Sequence, residues 1–441
     1  MAMVVKNNMS AISTLNTLNK NSSALSKSLQ KVSSGMKINS AADDASGYAI
    51  SERMRVQIRG LDQSNQNTQN GTSMMKVAEG AVSSTVDILK TLKEKVINAA
   101  NDTNTDADRA TIQKELDQSI DQINDNANVT YNGKYLVDGS KSAKVTQTTT
   151  AMTNESLNST TAWDTALTSM TDRNGNKLNI NSTYSISVSF VHEGTTYTTS
   201  TQIGTKSLKD LLGKSAVGGG KTEAISTYLK TSGSGNAIGK DIAGDTVYTA
   251  DRGNALTLTA AKSGVSGQIS GVTFSVMNTQ GAEQKSINAV LDNFSESIRA
   301  QNKSDDNAIS LQVGTKANQS IKVGLTDMRA EALGLQSSTG TTIQIGTQKQ
   351  ANAAINVLDN AVQKALDQQT TIGAVQSRLS YTSSNLTTAS ENVQSSESTI
   401  RDADMAKEMT EYTKNNVLLQ AAQSMLAQAN QSSSSVLSLL Q

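Results

Sequence analysis

Apolar residues near the start of the chain recur at alternating spacings of three and four. The series consists of Leu15, Leu18, Ser22, Leu25, Leu29, Val32 and Met36. At 3.5 residues per turn, these positions form one narrow stripe along a helix. The spacing therefore predicts an amphipathic helix with a coiled-coil seam, and Gly35 is expected to end it.

A second apolar face lies near the other end of the chain. It consists of Met405, Met409, Tyr412, Leu419, Leu426, Val436 and Leu440, and the polar Asn416 and Gln423 weaken its regularity. Each of the two terminal helices has an apolar face to bury. Either the helices pair with each other or with neighbouring molecules, or both are peripheral helices of a globular fold.

Longer helical patterns lie inside these ends. On the N-terminal side the apolar series is Met75, Ala78, Val82, Thr85, Leu89, Leu92, Val96 and Ala99, and a further helix carries Ile112, Leu116, Ile120 and Ile123. On the C-terminal side, the pattern from Ile355 to Ile400 predicts a helix of about 50 residues, roughly 75 Å long. The chain is thus expected to run out along a helical rod and return, and Asn132-Gly133 predicts a type I′ hairpin.

The composition changes after about residue 141, where Thr, Ser and Gly dominate. Alternation from Tyr184 to Phe190 predicts a half-buried strand, and the turn after it predicts a hairpin. Further predicted elements are strands at 246–250, 255–261 and 272–277, short helices at 207–212 and 286–299 (the latter with Ser286 as N-cap), and a flexible joint at Gly218-Gly219-Gly220. The middle is therefore expected to be an α+β insert.

The amino-acid composition argues against several classes of function. The 441 residues include 39 Lys+Arg and 39 Asp+Glu, no Cys, no Pro and one His. Zero net charge argues against a protein that binds nucleic acid by neutralising phosphates. The absence of Cys excludes disulfides and thiolate nucleophiles. The start MAMVVKNNMS lacks the pattern of a secretory signal, and no window has the apolar length of a membrane helix, so these criteria alone favour a cytosolic protein without membrane insertion.

Four segments of the sequence contain residues that could form a chemical site. His192-Glu193 begins an HExxH-like motif without a second His, so a hairpin-turn histidine is favoured over catalytic zinc. Asp43-Asp44 is interpreted as a helix cap rather than a cation site. The glycine loop at 218–221 is not interpreted as a phosphate-binding loop, because no predicted strand closely precedes it, and the patch around Lys90 is interpreted as a solvated helix face. We therefore expect no catalytic residues, metal or cofactor.

Long motifs at both ends resemble bacterial flagellin. They are SSGMKINSAADDASGYAISERMRVQIRGLDQSNQNTQNGTSMMKVAEGAVSSTVDIL (33–89), SLQVGTKANQSIKVGLTDMRAEALGL (310–335) and SMLAQANQSSSSVLSLLQ (424–441). The resemblance covers roughly 1–140 and 308–441. The middle matches this family only in being its variable, outward-facing part.

The resemblance implies a mainly α fold, with a long antiparallel helical rod or coiled coil formed by both chain ends and a central inserted α+β, β-rich variable domain. The implied division is an N-terminal coiled-coil helix of the inner filament tube (1–42), half of the rod with the hairpin (43–140), the variable domain (141–307), the second half of the rod (308–401) and a C-terminal coiled-coil helix of the inner tube (402–441).

The implied function is a structural subunit of the flagellar filament, exported unfolded by the flagellar type III apparatus, which overturns the cytosolic expectation. The implied partners are further copies of the chain in a helical homopolymer, an export chaperone, the filament cap and the hook-junction proteins. The expected assembly residues are Leu15, Leu18, Leu25, Leu29, Val32, Met36, Met409, Tyr412, Leu419, Leu426, Val436 and Leu440. In an isolated subunit both terminal helices are expected to be poorly ordered.

The resemblance also implies that Toll-like receptor 5 recognises the rod, with Leu89, Thr91, Lys93, Glu94, Lys95 and Glu115 facing the receptor. Strongly stimulatory relatives read like LQRVRELAVQ where residues 89–98 of this chain read LKTLKEKVIN. Thr91 stands where the family has Arg, and Lys95 where it has Leu. These two differences predict a weak agonist.

Two alternatives stay open at this point. A hook–filament junction protein is similar to flagellin at both ends, although the AADDASG stretch and the C-terminal block favour flagellin itself. A flagellin whose insert is an enzyme, such as a zinc protease, is the other alternative, and the missing second His argues against it.

Overall fold

A computed structural model describes residues 8–231, 236–250 and 252–439, with side chains as far as residue 432. The chain divides into two compact units. The first contains the described residues of 1–68, 312–319 and 381–441, and the second contains those of 69–311 and 320–380. Among the described residues, no helix has both the length and the apolar character needed to cross a membrane.

Within the described residues, the chain forms eight α-helices. They are α1 (Met9–Ser34), α2 (Ala45–Ala99), α3 (Asp106–Ala127), α4 (Leu208–Leu212), α5 (Lys285–Leu291), α6 (Ala330–Leu333), α7 (Gln348–Arg401) and α8 (Met405–Leu439). The long terminal and rod helices predicted from the apolar spacing are confirmed, and α7 has 54 residues. Helices α2 and α7 each contribute residues to both units.

The strands lie between α3 and α6. They are β1 (Thr130–Tyr131), β2 (Lys134–Tyr135), β3 (Ala151–Asn154), β4 (Ser185–His192), β5 (Thr195–Gln202), β6 (Ser215–Gly218), β7 (Lys221–Ala224), β8 (Leu229–Thr231), β9 (Ala237–Lys240), β10 (Thr246–Tyr248), β11 (Leu256–Ala260), β12 (Ile269–Met277), β13 (Ser295–Ile298), β14 (Ile309–Gln312) and β15 (Ser320–Val323). Helical ends with a strand-rich centre are the fold class that the sequence predicted.

In the first unit, α1 and α8 pack against each other as an antiparallel pair. The Asn8 side chain donates to the carbonyl of Ala429 (3.2 Å), and the Asn21 side chain donates to that of Leu418 (3.2 Å). Nearer the C-terminal end of α1, Lys31 lies 3.5 Å from the Glu408 carboxylate. Successive residues of α1 contact α8 residues of decreasing residue number, so the two helices run in opposite directions.

Helix boundaries in this unit follow from local chemistry. Gly35 ends α1 in the left-handed region (φ 70°), and its N–H donates to the carbonyl of Lys31. The Asp44 carboxylate accepts the N–H groups of Ser46 and Gly47 at the start of α2. Asp44 therefore caps the helix, as predicted, because it satisfies amides that have no carbonyl partner in the first turn.

Arg401, the last residue of α7, contacts the start of α2 and the segment that follows α1. Its buried guanidinium donates to Glu52 (2.6 Å), lies 5.4 Å from the ring centre of Tyr48 and contacts the sulfur of Met36 (3.2 Å). The hydrogen bond from Arg401 lowers the pKa of the Glu52 carboxyl below its ordinary value. Met36 itself lies beyond the end of α1 and pairs with Asp402 in an isolated bridge, so its predicted place in the helical seam is wrong.

The second unit has two hydrophobic regions. The helical region buries Met75, Val82, Leu89, Leu92, Val96, Leu116, Ile120, Ile123, Val357, Leu358 and Ile372. Asn132 and Gly133 both have positive φ between β1 and β2, which confirms the type I′ hairpin. Such a turn matches the right-handed twist of the strands that it joins.

The strand-rich region contains a five-stranded sheet, in the order β12-β4-β5-β6-β7, and a four-stranded sheet, in the order β13-β3-β11-β8. Its core contains Trp163, Phe190, Leu211, Phe274 and Val276, with further aliphatic side chains. This core packs beside α7, where the Asn360 side chain donates to the carbonyl of Ser270 (2.9 Å) in β12.

Two predictions for the strand-rich region are wrong. The helix predicted at 286–299 begins at Lys285 and ends at Leu291, because residues 295–298 pair with β3 instead. Gly219 and Gly220 are not a flexible joint but form the tight turn between β6 and β7, both with positive φ.

Candidate assembly interface

The seam of α1 consists of two lines of residues, and the structure separates them. Leu18, Leu25 and Val32, seven residues apart, are half-buried in the single chain. Leu15, Ser22 and Leu29 form the second line and are exposed, with 46% of Leu15 and 52% of Leu29 accessible. One helix therefore offers two adjacent apolar lines, and pairing with α8 covers only one of them.

Helix α8 shows the same division. Tyr412, Leu419 and Leu426 form a half-buried line spaced by seven, and Ala422 beside it is buried. Met409 belongs to the predicted face but is exposed. Two predicted members cannot be placed, because Leu440 lies outside the described residues and the side chain of Val436 is also outside them.

Several exposed apolar residues were missed by the sequence analysis. On α1 they are Met9 and Ile12, and on α8 they are Val417 and Leu418. These residues lie outside the seven-residue repeat, so the repeat does not identify them. A search for any apolar residue on a polar helix face would have found them. Of the seventeen large apolar side chains that are exposed in the described part of the chain, nine lie on α1 and α8.

Polar side-chain contacts give the α1–α8 pair a specific register. The contact between the two helices nevertheless buries only part of their apolar surface. The Asn415 side chain donates to the Ser28 hydroxyl (3.0 Å), at the one buried position of α1. Hydrogen bonds of this kind contribute only about 1 kcal/mol each. The pair thus has a defined register while a large part of its apolar surface stays accessible.

The residues predicted to face a receptor are not all on the surface. Leu89 is fully buried in the core of the second unit, so that prediction is wrong; its place in the three-and-four series with Leu92 already indicated burial. Thr91 and Glu94 are exposed. The Lys93 ammonium is paired with the Asp359 carboxylate.

Lys95 and Glu115 form an ion pair (3.0 Å) between α2 and α3. The Thr91 hydroxyl donates to the carbonyl of Asp87 in its own helix (3.1 Å). The structure therefore brings Lys95 and Glu115 together. It leaves Thr91 as a short side chain on an open helix face.

The segments considered as chemical sites have structural roles. His192 ends β4, where its Nδ1 lies 3.1 Å from the carbonyl oxygen of Gln268 and its ring packs against Tyr228. The turn residues of this hairpin are Glu193 and Gly194, both with positive φ. In the described residues, no group of three or more His, Cys, Asp or Glu side chains is arranged to hold a metal ion.

The described chain thus has long helices with exposed apolar side chains at both ends and a strand-rich centre. The family model for the bacterial flagellin N-terminal helical region matches residues 5–142, and that for the C-terminal helical region matches 355–440.

Curated relatives match along nearly the full length. The chain is 34% identical to a flagellin of Clostridium tyrobutyricum, over 97% of this chain and 99% of that one. It is 30% identical to a flagellin of Bacillus subtilis (strain 168), over 99% and 100%. The flagellar junction protein FlgL from Legionella pneumophila is 15% identical over 75% of this chain and 99% of its own, with a TM-score of 0.30.

The chain therefore belongs to the bacterial flagellin family. It is a structural subunit of the extracellular flagellar filament. The alternative of a hook–filament junction protein is not supported, because these two curated relatives, which match over nearly the whole chain, are flagellins.

Proposed function

We propose that the exposed line Leu15–Ser22–Leu29 of α1, together with the exposed apolar residues of α8, is the surface through which subunits join the filament. The observation that supports this is the division of the α1 seam. One line is half-buried on α8, while the adjacent line is accessible although it has the same heptad spacing. Leu18, Leu25, Val32, Tyr412, Leu419 and Leu426 then hold the two helices of one subunit together.

Burial of the exposed line Leu15–Ser22–Leu29 supplies the driving force for association. A fully buried leucine contributes about 1.5–3 kcal/mol. This gain opposes the translational and rotational freedom that a subunit loses when it joins the filament. Contacts between different surfaces of neighbouring subunits are required, because only such head-to-tail contacts extend without closing.

Removal of residues 402–441 tests this role. The variant keeps α2, α3 and α7 and should remain soluble and helical by circular dichroism. We expect that it does not elongate fragments of wild-type filaments, as judged by electron microscopy, whereas the full chain does. Filaments of normal length from this variant would refute the proposal.

We further propose the five-part division stated from the sequence: 1–42 and 402–441 in the inner tube, 43–140 and 308–401 in the rod, and 141–307 as the outward variable domain. The two family models match residues 5–142 and 355–440 and leave 143–354 unmatched, which supports helical ends on either side of a different middle. The family also motivates export of the unfolded chain by the type III apparatus, assisted by a chaperone, and contact with cap and hook-junction proteins.

We propose that the chain has no enzymatic activity, in keeping with a structural family. The single His of the sequence is held against a backbone carbonyl at the end of β4. A casein-cleavage assay with and without a chelator tests this. Chelator-sensitive cleavage by the purified chain would overturn it.

We also propose that the rod is a weak ligand of Toll-like receptor 5. The supporting observation is that Thr91 is short and uses its hydroxyl within α2, while Lys95 is engaged by Glu115. An arginine at position 91 would reach further and offer two parallel donors. The surface proposed for the receptor consists of Thr91, Lys93, Glu94, Lys95 and Glu115, without the buried Leu89.

A further inference from the structure

A cavity of about 200 Å³ lies in the second unit, beside the middle of α7. Its walls come from the segment 138–145, from residues 300–304 after β13, and from residues 326–332 before and within α6. The polar side chains that line it are Asp138, Ser142, Gln301, Asn302, Lys303, Ser304, Thr326, Asp327, Arg329 and Lys364. None of these residues belongs to the assembly surface.

Lys364 is the buried charge of this cavity, with only 5% of its surface accessible. Its ammonium donates to the carbonyl of Ala332, which also lines the cavity. Among the described residues, no carboxylate lies within ion-pair distance of it. An ammonium has three donors, so two remain for other acceptors. Burial lowers the pKa of Lys364 below its ordinary value.

The acidic groups nearby are occupied by other partners. Arg329 holds the Asp327 carboxylate with two hydrogen bonds (3.0 and 2.6 Å). On β13, the buried Glu296 carboxylate lies 3.5 Å from the guanidinium of Arg299, which also contacts Asp367 (2.7 Å).

Asp138 accepts the hydroxyl and N–H of Ser140. The charges of Glu296 and Asp327 act on Lys364 only from beyond contact distance and favour its charged form, while that of Arg299 opposes it.

A second buried donor lies one helical turn away from Lys364, on the same face of α7. The Gln368 side-chain oxygen accepts both the N–H and the hydroxyl of Thr326, a residue of the cavity wall. This fixes the orientation of the amide, since a backbone N–H can only donate. The Gln368 nitrogen is then buried without an acceptor in the described residues. Uncompensated buried donors are costly and uncommon.

We propose that this cavity binds a small oxyanion, with the Lys364 ammonium as its charged partner. The volume equals that of roughly six to seven water molecules at about 30 Å³ each, which admits a tetrahedral ion or a small carboxylate. The bound anion links α7 to the segments at 300–304 and 326–332. It thereby stabilises the second unit.

Thermal unfolding of the full-length monomer tests the proposal, with sodium sulfate or sodium acetate replacing sodium chloride at constant ionic strength. Sulfate also stabilises proteins in general, so the comparison needs matched variants. Lys364→Met removes the buried ammonium and keeps its length. Lys322→Met removes an exposed lysine that is paired with Asp306 outside the cavity.

The midpoint of the wild type and of Lys322→Met should rise equally with sulfate, and that of Lys364→Met should rise less. Titration calorimetry should show saturable binding that Lys364→Met weakens at least tenfold. Equal midpoint rises in all three proteins would overturn the proposal.

Should Lys364→Met fail to fold, calorimetry of the wild type decides. Sulfate affinity should fall as the pH is raised toward the ordinary pKa of lysine, because the buried ammonium that holds the sulfate loses its proton while sulfate keeps its charge. The absence of saturable binding, or an affinity that does not change with pH, would refute the site.

Discussion

The exposed line Leu15–Ser22–Leu29 of α1 loses both of its leucines when Leu15 and Leu29 are replaced by alanine. Alanine is the most favourable helix residue, so α1 keeps its helical propensity. Both side chains are about half accessible in the single chain. The monomer should therefore keep most of its helical signal, and it should lose less of that signal than a variant in which Leu18 and Leu25 are replaced.

The expected effect on assembly follows from the surface that each leucine still has to bury. Loss of most of a fully buried leucine removes about 2 kcal/mol, and about half of that surface is already covered by α8. The two substitutions together should weaken association by about 2 kcal/mol. Since 1.4 kcal/mol corresponds to a factor of ten, the critical concentration for polymerisation should rise roughly 30-fold.

The assay is seeded elongation followed by sedimentation, with the monomer left in the supernatant giving the critical concentration. Val217→Ala is the matched control, since Val217 is 58% exposed but lies in β6 of the strand-rich region. The double variant Leu18→Ala, Leu25→Ala changes the half-buried line instead of the exposed one, and it should reduce the helical signal of the monomer. An unchanged critical concentration for the Leu15 and Leu29 variant would refute the division of the seam.

Three further predictions concern the second unit. Replacement of 141–307 by a short Gly/Ser linker removes β12 from α7 and should nevertheless leave assembly intact. A folded variant that never elongates seeds would place the insert among the filament contacts. Burial raises the pKa of the Asp292 carboxyl from 3.8 to about 6, so its ionisation opposes folding above pH 6 and not below pH 3.8. Asp292→Asn, which keeps an acceptor for the Phe274 N–H, should thus stabilise the chain to urea by about 1–3 kcal/mol at pH 8 and negligibly at pH 3.5; an equal gain at both values would contradict this. Thr91→Arg with Lys95→Leu should raise potency in a Toll-like receptor 5 reporter assay, and unchanged potency would rule out these two positions as the cause of weakness.

The sequence predicts the helices well because their signal is local. Apolar spacing locates α1, α2, α3 and α7, and the chemistry of Gly35, Asp44 and Asn132-Gly133 marks where elements end or turn. The seven-residue repeat does not reveal which seam line α8 covers, because Leu18 and Leu15 are equivalent in the pattern.

The errors in the sequence analysis arise where distant pairing decides local structure. Residues 295–298 have an acceptable helical pattern, but they add a strand to the edge of β3. Met36 continues the heptad, yet the positive φ of Gly35 has already ended the helix. The sequence gives no indication of the cavity around Lys364, since its lining residues come from five separate segments of the chain.

The chain has no native cysteine, so a single introduced thiol reports directly on the exposed line Leu15–Ser22–Leu29. Leu29→Cys should react rapidly with a maleimide in the monomer and become protected in filaments grown from the same protein. Ser226→Cys, in the strand-rich region, serves as the exposed reference in the monomer. Protection of Cys at position 29 on polymerisation is the result that our account predicts. Equal labelling rates at that position in monomer and filament would contradict it.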